Sequence, residues 1–221
     1  MSHIICTVDV VLLTIRDDCL MVAVHERENG PHQGALALPG GYVQTDIDGS
    51  AFDAAFRVLR TKAGITPPYL EQLLTFSGPA RDPRGWSLSV AHYALVPVEL
   101  IEQANQPGVR LLPVGGPLGL PFDHDAIIAQ AVERLRNKSQ YSSLPCFLAG
   151  ESFTLPQLQR IYEVLMNEPL NKVSFRRKIS EMDILDPVEG QFGAAGAHRP
   201  AQLYRLKAAF THQLITLQRG L

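Results

Sequence analysis

The sequence predicts a chain of two domains, a mixed α/β domain over residues 1–140 and a small helical domain with a β-hairpin over residues 151–221. In the first part, β-rich runs alternate with amphipathic helical patterns, and in the second, two helices separated by a short turn precede a hairpin. A length of 221 residues suffices for one domain of ~140 residues and a smaller one. We expect residues 141–150 to form the linker between them.

Composition and charge exclude several classes of protein. Apolar residues make up 46% and charged residues 19%, which is typical of a globular protein with a sizeable core, and the net charge of -2 provides no overall basic field. Cys6, Cys19 and Cys146 form neither a CxxC pair nor a metal-ligand spacing, which predicts free thiols in a reducing compartment. The apolar start has no basic leader, and Asp9 interrupts it well short of the ~20 residues of a membrane span. We therefore expect a cytoplasmic protein without a membrane partner.

The first domain opens with two strands and a glycine-rich loop. HIICTVDVVLLTIRDDCLMVAVHER contains two β-rich runs around the acidic turn at 16–18, the pattern of a hairpin. ENGPHQGALALPGG follows, and its glycines permit tight turns and a close approach of the backbone to a ligand. FDAAFRVLRTKAGI, residues 52–65, has the apolar spacing of a helix, with Gly64 as its C-terminal stop.

Two more strands and a helix complete the first domain. YLEQLLTFSGPARDP and WSLSVAHYALVPV are β-rich runs around a turn at 82–85. DHDAIIAQAVERLRNK then places its apolar residues on one helical face, and Asp123 is the expected N-cap.

The second domain has the element order of a winged helix-turn-helix. FTLPQLQRIYEVLMN predicts a helix with Thr154 as its N-cap and Pro156 in its first turn. After the break EPLN, Asn171 is the expected cap of a basic helix, KVSFRRKISEM. A hairpin with a Gly/Ala-rich tip and a short final helix complete the pattern. Helix, turn, basic helix and hairpin is the order found in DNA-binding winged helices.

The basic helix is the candidate DNA reader. Phe175 and Ile179 fall on one side of it and Ser174 and Arg177 roughly opposite, the division between buried and outward residues that a recognition helix needs. The predicted DNA-binding residues are Lys172, Ser174, Arg176, Arg177 and Lys178 in this helix, with His198 and Arg199 in the hairpin. The alternative is a solvated basic face, and the position of the helix between a short turn and a hairpin favours DNA.

ALPGGYV followed by RVLRTKAGI resembles the Nudix family, and the resemblance covers most of residues 1–138. Alignment from the end of the Nudix box places Arg57, Leu59, Gly64 and Ile65 on its arginine, apolar, glycine and apolar positions. The segments RDPRGWSLSVAHYALVP and LPFDHDAIIAQAVERLR look like those of ADP-ribose-type Nudix domains. The resemblance implies an α/β/α sandwich with a nucleotide pocket at the glycine loop.

Departures from the box remove the carboxylates that a metal site needs. The interval from Gly41 to Arg57 is two residues longer than in the family, and Val58, Thr61 and Lys62 stand where the family has glutamates. Hydrolysis of a pyrophosphate requires hard cations held by several carboxylate oxygens. We therefore expect no catalytic residues, no metal and no enzyme.

The glycine loop is still expected to bind a ligand. Backbone N–H groups of two glycines, with two arginines as cations, suit a pyrophosphate, and an aromatic side chain suits an adenine. The predicted effector-binding residues are Arg27, Gly40, Gly41, Arg84 and Trp86. Tyr42 is an alternative stacking residue, and the glycines could be ordinary turn residues. Trp86 alternates with Leu88 and Val90, which favours a core position, and His92 is expected to be a satisfied strand residue.

The segment FTLPQLQRIYEVLMNEPLNKVSFRRKIS, together with HRPAQLYR, closely resembles the winged helix of the NrtR group, Nudix-related transcriptional regulators of NAD metabolism. That resemblance implies a repressor of NAD biosynthesis or salvage genes, with ADP-ribose or a related NAD metabolite as effector and no required cofactor. It also implies homodimers that bind a palindromic double-stranded DNA operator.

Two other functions stay open at this point. One is an active Nudix ADP-ribose pyrophosphatase with a C-terminal dimerisation domain, since Asp46 and Asp48 could hold one weakly bound ion and support residual hydrolase activity. The other is an RNA-binding adaptor, since winged helices also bind RNA. The operator, the effector and the sign of the response are not determined by the sequence.

Overall fold

The apolar runs at the start of the chain form the first two strands, β1 (Ile5–Arg16) and β2 (Cys19–Glu26). The turn between them places Asp17 and Asp18 at φ values of 50° and 58°, a left-handed conformation that aspartate tolerates better than most residues. The predicted hairpin is therefore confirmed. Strand β1 is buried from residue 7 to residue 14.

The computed structural model describes residues 4–193, 200–211 and 214–216. The chain folds into two units, one formed by Met1–Thr14 with Met21–Glu133 and the other by Ile15–Leu20 with Arg134–Leu221. No helix in the described ranges is long and apolar enough to cross a membrane.

The first unit is built on a seven-stranded sheet with the order β3-β2-β1-β6-β5, in which β4 also pairs with β1 and β7 with β2. The further strands are β3 (Leu36–Ala37), β4 (Gly40–Tyr42), β5 (Tyr69–Asp82), β6 (Gly85–Leu95) and β7 (Val109–Pro113). Strand β1 runs parallel to β6 and antiparallel to β4, which brings the glycine loop against the middle of β1.

Helix α1 (Ala51–Lys62) covers one face of this sheet. Its buried side chains pack against alternate residues of β1, and the intervening residues of β1 are buried as well, so both faces of the strand are covered. The Ser50 side chain accepts a hydrogen bond from the backbone N–H of Asp53 and caps the helix, and Gly64 just beyond its end has a φ of +67°. The predicted helix and its glycine stop are confirmed. Helix α2 (Val98–Ala104) also belongs to this unit, and helix α3 (His124–Ser139) begins in it and continues into the second unit from Arg134.

The second unit contains two helices and a three-stranded sheet of order β8-β10-β9. Its elements are β8 (Phe153–Thr154), α4 (Leu155–Met166), α5 (Lys172–Met182), β9 (Leu185–Gly193) and β10 (Ala201–Leu206). A 3₁₀ helix, Leu144–Leu148, lies in the interval 141–150, and all five of its residues are buried. The interval expected to be the linker thus contributes buried side chains, among them Cys146 in the core of the second unit. Where a final helix was expected, Ala208–Phe210 forms only a short 3₁₀ turn within the described residues.

Helices α4 and α5 begin at the capping residues that the sequence predicts. Thr154 and Gln157 make a reciprocal capping box at the start of α4. Asn171 accepts hydrogen bonds from the first turn of α5 and is thereby its N-cap. Phe175 and Ile179 face inward onto a core that includes Tyr162, whose ring centroid lies 5.4 Å from that of Phe175. Both caps and the buried side of the basic helix are therefore confirmed.

Candidate functional site

A cavity of ≈ 250 Å³ opens in the first unit beside the glycine loop, close to the lower end of the ~300–1,000 Å³ of small-molecule sites. It is lined by Thr7, Asp9, Arg27, Asn29, Gly30, Gly40, Gly41, Tyr42, Lys62, Arg81, Asp82, Arg84, Phe122 and His124. Four of the predicted effector-binding residues, Arg27, Gly40, Gly41 and Arg84, are brought together here.

Asp9, in the middle of β1, organises the floor of the cavity. Arg81 donates from Nη2 to Asp9 Oδ2 at 2.8 Å and from Nε to Asp123 Oδ2 at 2.9 Å. The backbone N–H of Leu38 donates to His124 Nδ1, so the ring proton of His124 lies on Nε2, 3.5 Å from Asp9 Oδ1. Burial alone would raise the pKa of Asp9, but His124 and Arg81 outweigh it and hold that pKa well below its usual range. Asp9 is therefore a buried anion fixed between two cationic or proton-donating groups.

This arrangement assigns Asp123 a role different from the one expected. Its carboxylate accepts from Arg81 next to the start of α3, and its other oxygen has no hydrogen-bond partner among the described residues. The expectation that Asp123 caps the helix is wrong, since an arginine from β5 takes up the carboxylate.

Gly40 is needed because Asp9 lies directly across from it. The two residues are paired in the β1–β4 register, so their side-chain positions are on the same face. A Cβ built on Gly40 would overlap the Asp9 carboxylate and come within 3.0 Å of the Val8 carbonyl oxygen. The same addition at Gly41 would meet only a Val58 methyl group at 3.3 Å. Gly40 thus allows β4 to lie close to β1 beside Asp9. This requirement distinguishes it from a glycine that only allows a turn.

Arg84 is held in place at the turn between β5 and β6. Asp82 accepts from Arg84 Nε at 3.0 Å and from Nη2 at 2.6 Å, and the same guanidinium lies 5.3 Å from the Tyr42 ring centroid and donates to the Tyr42 hydroxyl. The pKa of Asp82 is lowered by these bonds from Arg84. Tyr42 is 50% exposed, so its ring remains open to a ligand on the cavity rim.

Arg27 and Lys62 supply positive charge at the cavity without a direct ion pair among the described residues. Arg27 donates from Nε to the Pro31 carbonyl at 2.8 Å, and its guanidinium lies 4.9 Å from the Phe122 ring centroid. Neither Arg27 nor Lys62 forms an ion pair with any of the residues that the structure describes. Burial lowers the pKa of each, and a neighbouring guanidinium lowers it further: Arg84 for Arg27, and Arg27 for Lys62.

Trp86 does not line the cavity. It is 44% exposed on β6, so the core position favoured by its alternation with Leu88 and Val90 is wrong. The alternation itself is correct, but burial on that face of β6 becomes complete only further along the strand, at His92. His92 is 1% exposed and donates from Nδ1 to the Val90 carbonyl, which confirms it as a satisfied strand residue.

The donor set of this region does not fit a divalent cation. Val58 is buried in the core under the sheet, the Thr61 hydroxyl donates to a backbone carbonyl of its own helix, and Lys62 is itself a cation. Arg57 donates to both oxygens of Asp48, at 2.8 and 2.7 Å, so one of the two aspartates suggested as ligands of a weak ion is held in an ion pair. Within the described ranges, no three His, Cys, Asp or Glu side chains come together as a metal site.

Several cavity residues were not identified as site residues from the sequence. Arg81, Asp82, Phe122 and His124 lie in the two segments that resemble ADP-ribose-type Nudix domains, but only the fold shows that their side chains line the cavity. Asp9 did carry a signal, because a charged residue in the middle of an apolar strand needs a buried partner.

The outer face of α5 forms the second candidate surface. Lys172, Ser174, Arg176 and Arg177 are exposed, and Lys178 is half-buried. Val173, which the sequence analysis did not select, is 76% exposed among them. His198 and Arg199 lie outside the described residues. The fold thus presents a row of donors, with one apolar side chain, on the side of α5 opposite Phe175.

Comparisons with known proteins bear on both surfaces. Residues 145–206 match the NrtR DNA-binding winged helix domain. The ADPR responsive transcriptional repressor NtrR of Acinetobacter baylyi is 38% identical over 203 residues, which span 90% of this chain and 80% of the repressor. This chain belongs to the NrtR family. The resemblance stated from the sequence is therefore confirmed.

Solved structures of an NrtR protein show the same architecture. Shewanella oneidensis NrtR in complex with a 27mer DNA is 39% identical, with a TM-score of 0.89, and the match covers 98% of this chain and 99% of that one. The NUDIX domain of the same NrtR, complexed with ADP ribose, is 38% identical with a TM-score of 0.55, over 61% of this chain and 90% of that domain. The predicted fold class, a Nudix-like α/β domain followed by a winged helix-turn-helix domain, is confirmed.

Proposed function

We propose that this chain is a transcriptional repressor of NAD biosynthesis or salvage genes that binds double-stranded DNA through α5 and ADP-ribose, or a related NAD metabolite, in the cavity of its first domain. The observation that carries the proposal is the cavity wall, which is rich in cations and lacks carboxylates free to hold a metal. Such a wall binds a phosphorylated ligand without activating water against it.

The cavity offers suitable side chains for the phosphates and the base of a nucleoside diphosphate sugar. Arg27 and Arg84 face it from two sides, so they are placed to contact the phosphates. Tyr42, half-exposed and already stacked against Arg84, offers a ring to a base. Trp86 is not needed for this role.

The second domain accounts for DNA binding. A recognition helix places its N-terminal residues against base edges, and α5 begins with exposed Lys172, Val173 and Ser174. Arg176 and Arg177 follow as donors to phosphates or guanine. An exposed valine among them suits an apolar contact with a thymine methyl group.

We further propose a homodimer that acts in the cytoplasm of a bacterial cell. Two recognition helices of a dimer bind half-sites ~34 Å apart, so a small rotation of either helix weakens both contacts together. If the effector weakens operator binding, the operator must weaken effector binding by the same factor, typically ~1–3 kcal/mol of coupling.

The DNA-binding role is tested with duplexes enriched from a random pool by the purified protein. Arg176→Ala and Arg177→Ala should weaken binding to the selected duplex about tenfold or more each, because each removes a charge-assisted contact of ~1–3 kcal/mol. Their affinity for ADP-ribose in isothermal titration should stay unchanged. If both variants bind the duplex as the wild type does, α5 is not the reader, and preference for RNA of the same sequence would indicate an RNA-binding adaptor.

The absence of hydrolysis is tested separately, with glutamates restored at Val58, Thr61 and Lys62. We expect neither the wild type nor this triple variant to release AMP from ADP-ribose with magnesium. Val58 is buried, so a glutamate at this position would point into the apolar core and not toward a metal ion at the solvent-facing cavity. The longer loop displaces the remaining groups of the catalytic geometry. Rapid magnesium-dependent turnover by the wild type would identify a pyrophosphatase instead.

A further inference from the structure

The cavity is lined by more cationic than anionic side chains, and not every cation is paired with a carboxylate. Four cationic side chains, Arg27, Lys62, Arg81 and Arg84, face two carboxylates, Asp9 and Asp82. Each carboxylate is already taken by one arginine, Asp9 by Arg81 and Asp82 by Arg84. The positive charge that remains to a ligand therefore comes from Arg27 and Lys62.

Lys62 lies where its side chain can contact a ligand, and it is not one of the α1 residues that pack against the sheet. It lies at the end of α1, half-buried on the cavity wall, while the buried residues of α1 that pack against the sheet come earlier in the helix. No hydrogen bond or ion pair ties its ammonium group to the residues that the structure describes. Burial and the nearby Arg27 lower its pKa, and the carboxylates of Glu28 and Asp9 offset this only in part.

We propose that the Lys62 ammonium group, with Arg27, binds the diphosphate of ADP-ribose directly, in the position where a divalent cation would otherwise neutralise it. The proposal deepens the proposed function and rests on it. Its consequence is that effector binding requires no metal, because a fixed monovalent cation supplies the charge and leaves no ion to activate water. A half-buried lysine also binds less strongly to water than an exposed one, so its contact with a phosphate is stronger.

The first test compares metal conditions on the unmodified protein. ADP-ribose is titrated into the full chain by calorimetry, once with EDTA and once with magnesium, and inorganic pyrophosphate is titrated as a second probe. We expect the dissociation constant for ADP-ribose to agree within about twofold between the two conditions, which corresponds to ~0.4 kcal/mol. Binding that appears only with magnesium overturns the inference. Absence of ADP-ribose binding in both conditions contradicts the proposed function itself.

The second test uses substitutions on α1. Lys62→Met removes the charge while keeping the length of the side chain, and Lys62→Arg keeps the charge. Arg60→Met on the exposed side of the same helix is the matched control. We expect Lys62→Met to weaken ADP-ribose binding in EDTA about tenfold or more, or ~1.4 kcal/mol, while Lys62→Arg and Arg60→Met stay within about threefold. Equal affinity of Lys62→Met and the wild type, both folded by circular dichroism, would disprove the contact.

The third readout is the pH dependence of binding. The charged groups that influence Lys62 are Arg27, Glu28 and Asp9, and His25, whose own pKa is lowered by burial and by Lys62, is a further titratable group beside it. A bound diphosphate raises the depressed pKa of Lys62, so over the pH range in which Lys62 of the free protein loses its proton, binding takes up protons and the affinity falls as the pH rises. Lys62→Arg should bind with little dependence on pH over this range, because arginine remains charged. The same fall in affinity in that variant would assign the pH effect to another group.

Discussion

Gly40→Ala tests the central geometric relation of the cavity. The added methyl group would overlap the Asp9 carboxylate, whose side chain is 9% exposed and paired with Arg81, itself 6% exposed. The carboxylate must therefore move away from Arg81 and His124, or β4 must separate from β1. We expect a loss of about 3 kcal/mol in the free energy of unfolding, the lower end of the range for breaking a buried ion pair.

The measurement is urea unfolding followed by the fluorescence of Trp86, the one tryptophan in the sequence, which lies in the first unit and reports on it. Gly41→Ala is the matched control, because its methyl group meets only Val58 at 3.3 Å, and its cost should stay below about 1 kcal/mol. Both glycines lose the same conformational freedom on substitution, so the difference between the two variants isolates the overlap with Asp9.

A double-mutant cycle of Gly40→Ala with Asp9→Ala tests whether the overlap with Asp9 causes the loss of stability. In an Asp9→Ala background the overlap disappears, so Gly40→Ala should then cost only about 1 kcal/mol, from its remaining contact with the Val8 carbonyl at 3.0 Å. If Gly40→Ala costs as much with Asp9 absent as with Asp9 present, or no more than Gly41→Ala, the close approach is not what requires the glycine.

Two other predictions follow from local contacts. Asn171→Ala should lower the stability of the second unit by ~1 kcal/mol, since it removes the acceptor that caps α5, and Asn171→Asp should retain most of it; thermal unfolding measures both. The hydrogen bonds from Arg57 lower the pKa of Asp48 to about 2, so the stability that this pair contributes is fully present above the ordinary pKa of ~3.9 and is lost as the pH falls through about 2. In Arg57→Ala the carboxyl resonance of Asp48 should titrate near its ordinary value in NMR, and an unchanged titration would show that Arg57 is not its cause.

The same ion pair fixes one of the two aspartates in the longer loop. A loop with two additional residues and two aspartates could in principle replace lost ligands. In the structure Arg57 holds Asp48 through both carboxylate oxygens and also donates to the Tyr42 carbonyl at 2.9 Å, so it fastens the loop to the rim of the cavity. Both carboxylate oxygens of Asp48 are therefore engaged by Arg57, and Oδ2 also accepts from the backbone N–H of Gln44.

The second domain could be predicted well because its signals are local. Thr154 and Asn171 cap their helices through residues two or three positions away, and the spacing of Phe175 and Ile179 marks one face of one helix. Each of these signals acts within a single turn, so the sequence contains all the information that it needs.

Burial along one face of β6 could not be predicted from local signals. Alternation correctly groups Trp86 with Leu88 and Val90, since side chains of a strand alternate in any fold. Whether that face is buried at a given position depends on what packs against it. Helix α1 contacts Val90, whereas Trp86 lies at the start of the strand and stays exposed.

By itself, the sequence determined the order of the elements, the caps and inward face of the basic helix, and the absence of glutamates from the box. These depend on residue type and on spacing within a few positions. Only the tertiary structure decided what the cavity contains. Asp9 and Arg81 are 72 positions apart, and they meet because β1 lies beside β6, which pairs with β5, so the charges that a ligand encounters follow from strand pairing that no local pattern specifies.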